Sequence, residues 1–359
     1  MSAKRCASYY NATIKQESDY PELEGDLRVD VAIIGGGFTG VATAVELSEK
    51  GYKVALLEAN KIAWGATGRN GGQVTGSLSG DAAMTKQLRR HLGQDAEDYV
   101  WDLRWRGHDI IKSRVAKYNI DCDLKFGHIQ TAYRPTHMAE LQQMFDEANR
   151  RGMGEFMTLV PEQEMPTYLA SPLYHGGLVN RRNMHLHSVN LCLGEARAAA
   201  SLGAQIFEHS QVLDIQQGEL ATVLTPKGRV KANSVLIAGN AYHKLGRPKL
   251  RGMLFPASLG NCATAQLPAE LAKQLNPQDL AVYDCRFVLD YYRLTADNRL
   301  MFGGGTNYSG RDPKNVAAEL RPAIERTFPQ LKGVDIEFAW AGMAGIVINR
   351  IPLLGKITP

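Results

Sequence analysis

The sequence of 359 residues lacks the features of a membrane, secreted or nucleic-acid-binding protein. It contains no apolar run of membrane-spanning length, and its first residues, MSAKRCASYYNATIKQ, lack the apolar core of a signal peptide. Its net charge is only +4, and Lys and Arg form no long block. We therefore predict a cytoplasmic protein that acts on a small molecule, without nucleic-acid or membrane partners.

Cysteine is also scarce. The five cysteines are scattered along the chain: Cys6, Cys122, Cys192, Cys262 and Cys285. No two of them form a C-x-x-C pair, so neither a disulfide framework nor a zinc site is expected. His185 and His187, in MHLH, have no evident third ligand, and we predict no metal.

What the sequence does contain, near its start, is a strand, a glycine turn and a helix. Residues 31–34, VAII, form an apolar run typical of a strand buried on both faces of a parallel sheet. The glycines Gly35, Gly37 and Gly40 follow in the pattern G-x-G-x-x-G, and apolar residues then recur at helical spacing. Residues 53–58, KVALLE, are typical of a second strand. This βαβ unit predicts a dinucleotide site.

Each glycine of this turn has a predicted function. Gly35 permits the tight turn, Gly37 lets the backbone approach a pyrophosphate, and Gly40 lets the helix pack close to the strand. The free N–H groups at the start of the helix would face the phosphates. Glu58 lies 18 residues after Gly40, where an acid meets ribose hydroxyls and repels the 2′-phosphate of NADP. These residues leave NAD and FAD as alternatives.

The segment after Glu58 favours FAD. Residues 59–80, ANKIAWGATGRNGGQVTGSLSG, are rich in glycine and have no helical period, whereas a nicotinamide-binding domain usually continues into a helix. Because glycine has no β-carbon, such a loop can bring several backbone N–H groups close to a ligand. A flexible surface linker is the alternative, but the apolar residues 62–64 would be costly in one. We predict a loop that covers the ligand.

Together these motifs resemble the FAD-dependent D-amino acid oxidase and amine oxidase superfamily. The resemblance rests on VAIIGGGFTG, on Glu58 at the end of its strand and on GATGRNGGQ. Three further stretches are similar to the gamma-glutamylputrescine oxidase branch: DYYRLTADNRLMFGGG, FPQLKGV and VLIAGNAY. The similarity extends from about Tyr9 to the end of the sequence.

The resemblance implies an α/β fold with two domains. One is a Rossmann-like βαβ FAD-binding domain of the glutathione-reductase and D-amino acid oxidase type, formed by residues 1–80, 186–242 and 336–359. The other is a discontinuous α+β substrate domain with an antiparallel sheet, formed by residues 81–185 and 243–335.

The resemblance also implies the residues that bind FAD. They are Gly35, Gly37, Phe38, Thr39, Gly40, Glu58, Ala59, Gly68, Arg69, Asn70, Gly71, Gly72, Gln73, Val212, Ala238 and Gly239. Some relatives attach the flavin to a histidine in the glycine-rich loop. This loop contains no histidine, so we predict non-covalent FAD.

The implied reaction is oxidation of an amine C–N bond, in which the cofactor carries the difficult step. The substrate would be gamma-glutamylputrescine or a similar gamma-glutamyl amine, and the products an aldehyde, ammonia and hydrogen peroxide. Tyr291 and Tyr292 point to opposite faces of a strand, so only one can face the flavin. By its position in the family's strand pattern we predict Tyr291 as the catalytic residue, with ordinary packing as the alternative.

The same strand lacks the arginine that binds a substrate carboxylate in the glycine and D-amino acid oxidase branches. That position, four residues before Arg299, is Thr295, which argues against a simple α-amino acid as substrate. Because of this position we count Thr295 among the predicted substrate-binding residues. Arg293 is a candidate for binding a distant carboxylate, and a surface ion pair is an equal alternative. His128, in KFGHIQT, is a weaker candidate for the cavity wall, with a structural histidine as its alternative.

Two other functions stay open. One is a flavin dehydrogenase or oxidase of a small secondary or D-amino acid such as glycine or sarcosine. The family pattern continues beyond INRIPLLGKITP into a strand and a second glycine turn that opens a helix aimed at the flavin. The other candidate is therefore a C-terminally truncated, non-catalytic nucleotide-binding protein.

Overall fold

A computed structural model describes residues 5–76, 80–243, 245 and 252–357. Among them are eight α-helices: α1 (Tyr9–Ala12), α2 (Phe38–Glu49), α3 (Asp81–Leu92), α4 (Ala96–Lys117), α5 (His137–Arg150), α6 (Ser188–Ser201), α7 (Ala269–Leu275) and α8 (Val316–Thr327). Within these ranges, no helix combines the length and the apolar character that crossing a membrane requires. Residues 77–79, in the predicted ligand-covering loop, lie outside the described residues.

The strands of the same ranges form two sheets. They are β1 (Gly25–Ile34), β2 (Val54–Leu57), β3 (Gln73–Val74), β4 (Lys125–Thr131), β5 (Met157–Pro161), β6 (Gly176–His185), β7 (Gln205–Phe207), β8 (Asp214–Gln216), β9 (Ala221–Leu224), β10 (Gly228–Ile237), β11 (Phe255–Thr264), β12 (Ala281–Asp284), β13 (Tyr291–Leu294), β14 (Leu300–Asn307) and β15 (Ile336–Ile346).

The first sheet contains the predicted βαβ unit. Its strand order is β7-β2-β1-β10-β9-β8. The strands β7, β2, β1 and β10 are parallel, and β9 and β8 extend the sheet in antiparallel pairing. Ala44 of α2 and Ala196 of α6 pack in one buried cluster with Ile33 and Leu56. Small residues let both helices approach the strands closely, and the prediction of a Rossmann-like parallel core is confirmed.

The second sheet is larger and mostly antiparallel. Its order is β15-β11-β14-β13-β12-β4-β6-β3, with β5 paired to β6; β12 and β4 are parallel. One face packs against α7 and α8, where Leu275 and Leu320 join Tyr292 and Phe302 in a buried cluster. The opposite face is covered at one end by the glycine-rich loop and at the other by α5. This α+β part agrees with the predicted fold class.

Two strands lie in a different sheet from the one that the predicted domain boundaries imply. Residues 1–80 and 336–359 were expected in the FAD-binding domain, yet β3 and β15 belong to the second sheet. The strand β15 pairs with β11 from Phe255 to Thr264, which keeps the chain in the second sheet as far as Ile346. The boundary at 336 is therefore corrected, and the division into two domains otherwise stays a prediction.

Candidate active site

The glycine turn between β1 and α2 leaves no room for side chains. At Gly35, where φ is +112°, a Cβ would lie 2.7 Å from the carbonyl oxygen of Ala238. A Cβ at Gly40 would lie 1.9 Å from the carbonyl oxygen of Gly35. Only glycine therefore lets the end of β1 meet the end of β10 while α2 packs directly on the turn. This geometry matches the functions predicted for both glycines.

The start of α2 offers backbone N–H groups to a ligand. Gly37 is the N-cap residue and has no side chain that could cap the helix. Phe38 N–H donates to Thr67 Oγ1 at 3.1 Å, which ties the helix start to the glycine-rich loop. Thr39 is exposed at this end. Uncapped N–H groups and the positive end of the helix dipole suit phosphate oxygens.

Glu58 stands beside this turn, at the end of β2. One carboxylate oxygen accepts from Gly36 N–H at 2.7 Å, and the other accepts from Asn60 N–H at 2.9 Å. Burial raises the pKa of this carboxyl group. Ser210 N–H donates to the carbonyl oxygen of Glu58 at 2.8 Å, which brings the half-buried Val212 to the same edge. Each carboxylate oxygen keeps a lone pair for a ribose hydroxyl.

A groove of about 1180 Å³ begins at this turn. It extends from Thr39 past Ala238 and Gly239 to Gly345 in β15, and so connects the first sheet with the second. Ala59, also a predicted FAD residue, is exposed just after Glu58. The glycine cradle, the uncapped helix, the acid and the groove together fit an extended dinucleotide.

The side chain of Asn70 shapes the glycine-rich loop and is not free for FAD. Its Nδ2 donates to the carbonyl oxygens of Ala66 and Thr67, at 3.2 and 2.9 Å. Its Oδ1 accepts from Gly72 N–H at 2.8 Å and from the Ser188 hydroxyl at 2.7 Å. These bonds use the side-chain amide within the protein, and the predicted contact of Asn70 with FAD stays a prediction for its backbone.

Arg69 and Gln73 attach the same loop to the second sheet. Arg69 Nη1 donates to the carbonyl oxygen of Ala341 in β15 at 3.0 Å. Gln73 Nε2 donates to the carbonyl oxygen of Val282 in β12 at 3.0 Å. A Cβ at Gly68 would lie 2.5 Å from a backbone oxygen, so the chain is tightly packed here. The backbone of residues 68–72 is what the loop can offer to a flavin.

Tyr291 lies where this loop meets the sheet. A Cβ at Gly71 would lie 2.5 Å from its ring, and its hydroxyl donates to Asn261 Oδ1 at 3.0 Å. Burial raises the pKa of this phenol, which therefore stays neutral. Tyr292 points to the opposite face and stacks on Phe302, with 4° between the ring planes. The Tyr291 ring packs against Gly71 of the loop, whereas Tyr292 meets the loop through its carbonyl oxygen, which accepts from Gln73 Nε2 at 3.2 Å. The catalytic role of Tyr291 stays a prediction.

Arg293 is not available to a substrate carboxylate. Its side chain is buried, and its Nε donates to the carbonyl oxygen of Gly71 at 2.9 Å. The two Nη atoms donate to the carbonyl oxygens of Leu294 and Leu186 and to the Tyr10 hydroxyl. Both predictions for this residue, a carboxylate ligand and a surface ion pair, are therefore wrong. Arg293 holds Gly71 in position beneath Tyr291.

Thr295 is also removed from the site. It is 1% exposed, and its hydroxyl donates to Asp297 Oδ1 at 2.6 Å and accepts from Arg299 N–H at 2.9 Å. These bonds close the turn between β13 and β14. Its predicted place among the substrate-binding residues is therefore wrong, because the hydroxyl is used within the turn.

Strand pairing aligns seven residues in one row on the loop side of the second sheet. Directly paired residues point to the same face of a sheet. From β15 to β6 the row contains Trp340, Asn261, Gly303, Tyr291, Tyr283, Gln130 and Leu178. The loop covers the first part of the row, where Asn261 Nδ2 and Trp340 Nε1 both donate to the carbonyl oxygen of Arg69 at 3.0 Å.

A cavity of about 290 Å³ lies over the row between the loop and α5. His128, Gln130 and Tyr283 line its sheet side, and Trp105 of α4 lines another wall. The His128 ring lies against Tyr283, with 4.4 Å between the centroids. Burial lowers the pKa of His128 to about 3, so the imidazole is uncharged at neutral pH. His128 thus lines the cavity, and its binding of substrate stays a prediction.

Three residues of this site were not found from the sequence: Tyr283, Asn261 and Trp105. The first two reach the row only through the register of strands that are far apart in the chain. The only sequence signal was the short apolar run of residues 281–283, AVY, which is typical of a strand and does not show which residues lie beside Tyr283.

A dinucleotide cradle joined to an antiparallel sheet with a partly open cavity fits an enzyme of the nucleotide-dependent oxidoreductase class. Comparison with known proteins identifies the cofactor. Residues 30–359 match the family model of FAD dependent oxidoreductases, so the chain belongs to this family and its cofactor is FAD.

Two curated relatives cover almost the whole chain. It is 37% identical over 354 residues to gamma-glutamylputrescine oxidoreductase of Escherichia coli (strain K12), spanning 98% of this chain and 82% of that protein. It is 35% identical over 358 residues to probable oxidoreductase OrdL of Haemophilus influenzae, spanning 98% and 81%. The resemblance identified from the sequence is confirmed.

Solved structures confirm the fold. Glycine oxidase from Geobacillus kaustophilus superposes with a TM-score of 0.72 at 22% identity, over 92% of this chain and 86% of that chain. L-proline dehydrogenase from P. horikoshii superposes with a TM-score of 0.76 at 18% identity, over 94% and 86%.

Proposed function

We propose that this protein oxidises the primary amine of a gamma-glutamylated alkylamine, such as gamma-glutamylputrescine. The amine, dioxygen and water would be converted to an aldehyde, ammonia and hydrogen peroxide. Similarity to a gamma-glutamylputrescine oxidoreductase supports the substrate class, and the partner is thus a small-molecule amine. The remaining support comes from the groups around Tyr291.

The observation that carries the proposal is that, among the residues that the structure describes, Arg69 and Arg293 beside Tyr291 already donate to protein oxygens. Arg293 donates to four protein oxygens. Arg69 donates to the carbonyl oxygens of Trp64 and Ala341. A small α-amino acid needs a cation for its carboxylate close to the reacting carbon. A gamma-glutamyl amine carries its carboxylate far from that carbon and needs no such group there.

The chain's own residues would hold the cofactor and keep the amine neutral. The glycine turn, Glu58 and the backbone of residues 68–72 are the groups that would hold FAD. When bound, FAD supplies the acceptor for hydride from the carbon next to the amine nitrogen. The Tyr291 hydroxyl donates a hydrogen bond to Asn261 Oδ1, and its phenol stays neutral. Tyr291 therefore does not act as the base that deprotonates the amine. Desolvation of the substrate amine among aromatic side chains lowers its pKa. The amine then loses its proton without a dedicated base.

The test uses the purified protein saturated with FAD in the absence of air. Gamma-glutamylputrescine should bleach the visible flavin absorbance, and admitting air should restore it with formation of one peroxide per amine consumed. Putrescine, glycine and sarcosine are compared at equal concentration, and we expect slower bleaching with each. Faster reduction by glycine or sarcosine would establish the small amino acid oxidase alternative instead.

A further inference from the structure

The cavity over His128 changes character from its interior to its rim. Its interior is formed by buried, uncharged side chains: Trp105, His128, Asn180 and Asn183. Its charged lining residues, Arg104, Glu140 and Glu147, lie on the helices α4 and α5 at the rim. A ligand group that enters the interior must therefore be uncharged, because a buried charge without a partner is costly.

Two buried polar atoms of this wall have no hydrogen-bond partner among the described residues. They are Nε2 of His128, whose side chain is 1% exposed, and Nε1 of Trp105, which is 6% exposed. Buried polar groups in proteins are almost always paired, and an unpaired one calls for a ligand or an ordered water. The Trp105 indole can only donate, and an uncharged imidazole nitrogen without a proton can only accept.

We propose that this cavity binds an amide group of the substrate, through the imidazole of His128 and the indole N–H of Trp105. The inference rests on the proposed function and names the chemical class that the site selects: amines whose alkyl chain leads to an uncharged amide. An amide carries both a donor and an acceptor and no charge. These properties match the donating indole N–H, an imidazole nitrogen that accepts or donates according to its tautomer, and an interior without charges.

The distance between Tyr291 and the cavity matches a substrate in which an alkyl chain joins the amine to the amide. Along the row, Tyr291, Tyr283 and Gln130 lie on three successive strands. Two strand spacings correspond to about 10 Å. A substrate with its amine beside Tyr291 and its amide beside His128 therefore needs several methylene groups between them. Burial keeps the His128 pKa at about 3, so the imidazole can accept this hydrogen bond throughout the neutral range.

The test compares two amines of equal chain length, N-acetylputrescine and heptylamine, of which only the first has an amide. Their dissociation constants are measured by isothermal titration with the FAD-bound protein in the absence of air, together with the limiting rate of flavin reduction. We expect N-acetylputrescine to bind about tenfold more tightly, as one or two hydrogen bonds predict. In His128→Leu this preference in binding should disappear.

Two further variants and a control make the outcome decisive. His128→Gln keeps a hydrogen-bonding group and should restore part of the preference. Trp105→Phe removes the indole N–H and keeps an aromatic ring in the wall, and it should weaken amide binding if His128→Leu does not fold. His175→Gln, at an exposed histidine paired with Glu162, should behave as the parent.

Equal binding of the two amines by the parent protein would overturn the inference. It would also be overturned if His128→Leu lowered the reduction rate with both amines to the same degree, since the imidazole would then act in the chemistry. An amide preference without flavin reduction would contradict only the proposed function, because binding is measured separately from turnover.

Discussion

At the scale of single residues, Arg293 was expected to bind a substrate carboxylate, but its side chain donates hydrogen bonds to backbone carbonyl oxygens. Its guanidinium donates to carbonyl oxygens of Gly71 and Leu186, which are 222 and 107 positions away in the chain. The planar fork of arginine places donors on three separate nitrogen atoms, whereas the donors of lysine all lie on one nitrogen. The residue therefore fixes the loop on which Tyr291 rests.

The substitution Arg293→Lys should destabilise the protein and weaken its retention of FAD. The carbonyl oxygens of Gly71 and Leu186 would lose their donors in a buried place, at a cost of about 2–4 kcal/mol. Urea unfolding and the FAD content after gel filtration measure both effects. The control is Arg229→Lys, at an exposed pair with Asp26. If Arg293→Lys left stability intact and raised only the KM for gamma-glutamylputrescine, a carboxylate-binding role would be restored.

At the scale of elements, the contact between β1, α2 and β10 depends on the missing side chains of the turn. A Cβ at Gly40 would overlap the carbonyl oxygen of Gly35 at 1.9 Å, so the start of α2 would have to move away from the turn. The N–H groups that face a pyrophosphate lie on the same helix turn. Packing and cofactor binding are therefore coupled at this position.

Gly40→Ala should reduce FAD affinity by at least about tenfold and lower stability by about 1–3 kcal/mol, as expected for overpacking. A fluorescence titration of the apoprotein with FAD and urea unfolding test the two effects. Gly107→Ala is the matched control, because Gly107 is in the interior of α4 and a Cβ there would have nothing within 4 Å. At that position alanine should stabilise by about 0.5–1 kcal/mol. Unchanged FAD binding in Gly40→Ala would contradict the assigned geometry.

At the scale of the whole molecule, buried histidines, among them His128, His185 and His187, make stability depend on pH. Burial lowers the pKa of His128 and His185 to about 3 and that of His187 to about 4. In the unfolded chain these groups take up protons near the ordinary histidine pKa of about 6.5. The unfolded state therefore binds more protons below that pH, and the stability present above it is lost as the pH falls.

We expect the free energy of unfolding to fall as the pH is lowered from about 7 to about 4.5, by up to about 1.4 kcal/mol per pH unit for each histidine. Urea unfolding with saturating FAD measures this slope. His185→Gln should reduce this slope, because glutamine does not titrate. Its amide can replace the hydrogen bond that the His185 ring makes with the Asp279 carbonyl oxygen at 2.9 Å. The same slope in the parent and in His185→Gln would contradict the assignment.

The sequence by itself determined the βαβ unit, its glycine turn and the acid at the end of β2. These features depend on apolar periodicity and on backbone conformations that act over a few residues, and they appear in the chain in the order in which they function. That only one of Tyr291 and Tyr292 can face the flavin also follows from a local property, the alternation of side chains along a strand, whereas the choice of Tyr291 came from the resemblance to the family.

Only the tertiary structure decided the environment of Arg293, the sheet to which β15 belongs and the cavity at His128. Each depends on partners far along the chain: the donors of Arg293 meet distant carbonyl oxygens, and the cavity lies between strands and helices that strand register brings together. Which hydrogen-bonding groups are satisfied and which are left for a ligand is a property of the packed molecule. No local pattern in the sequence encodes it, because the same side chain can serve either purpose.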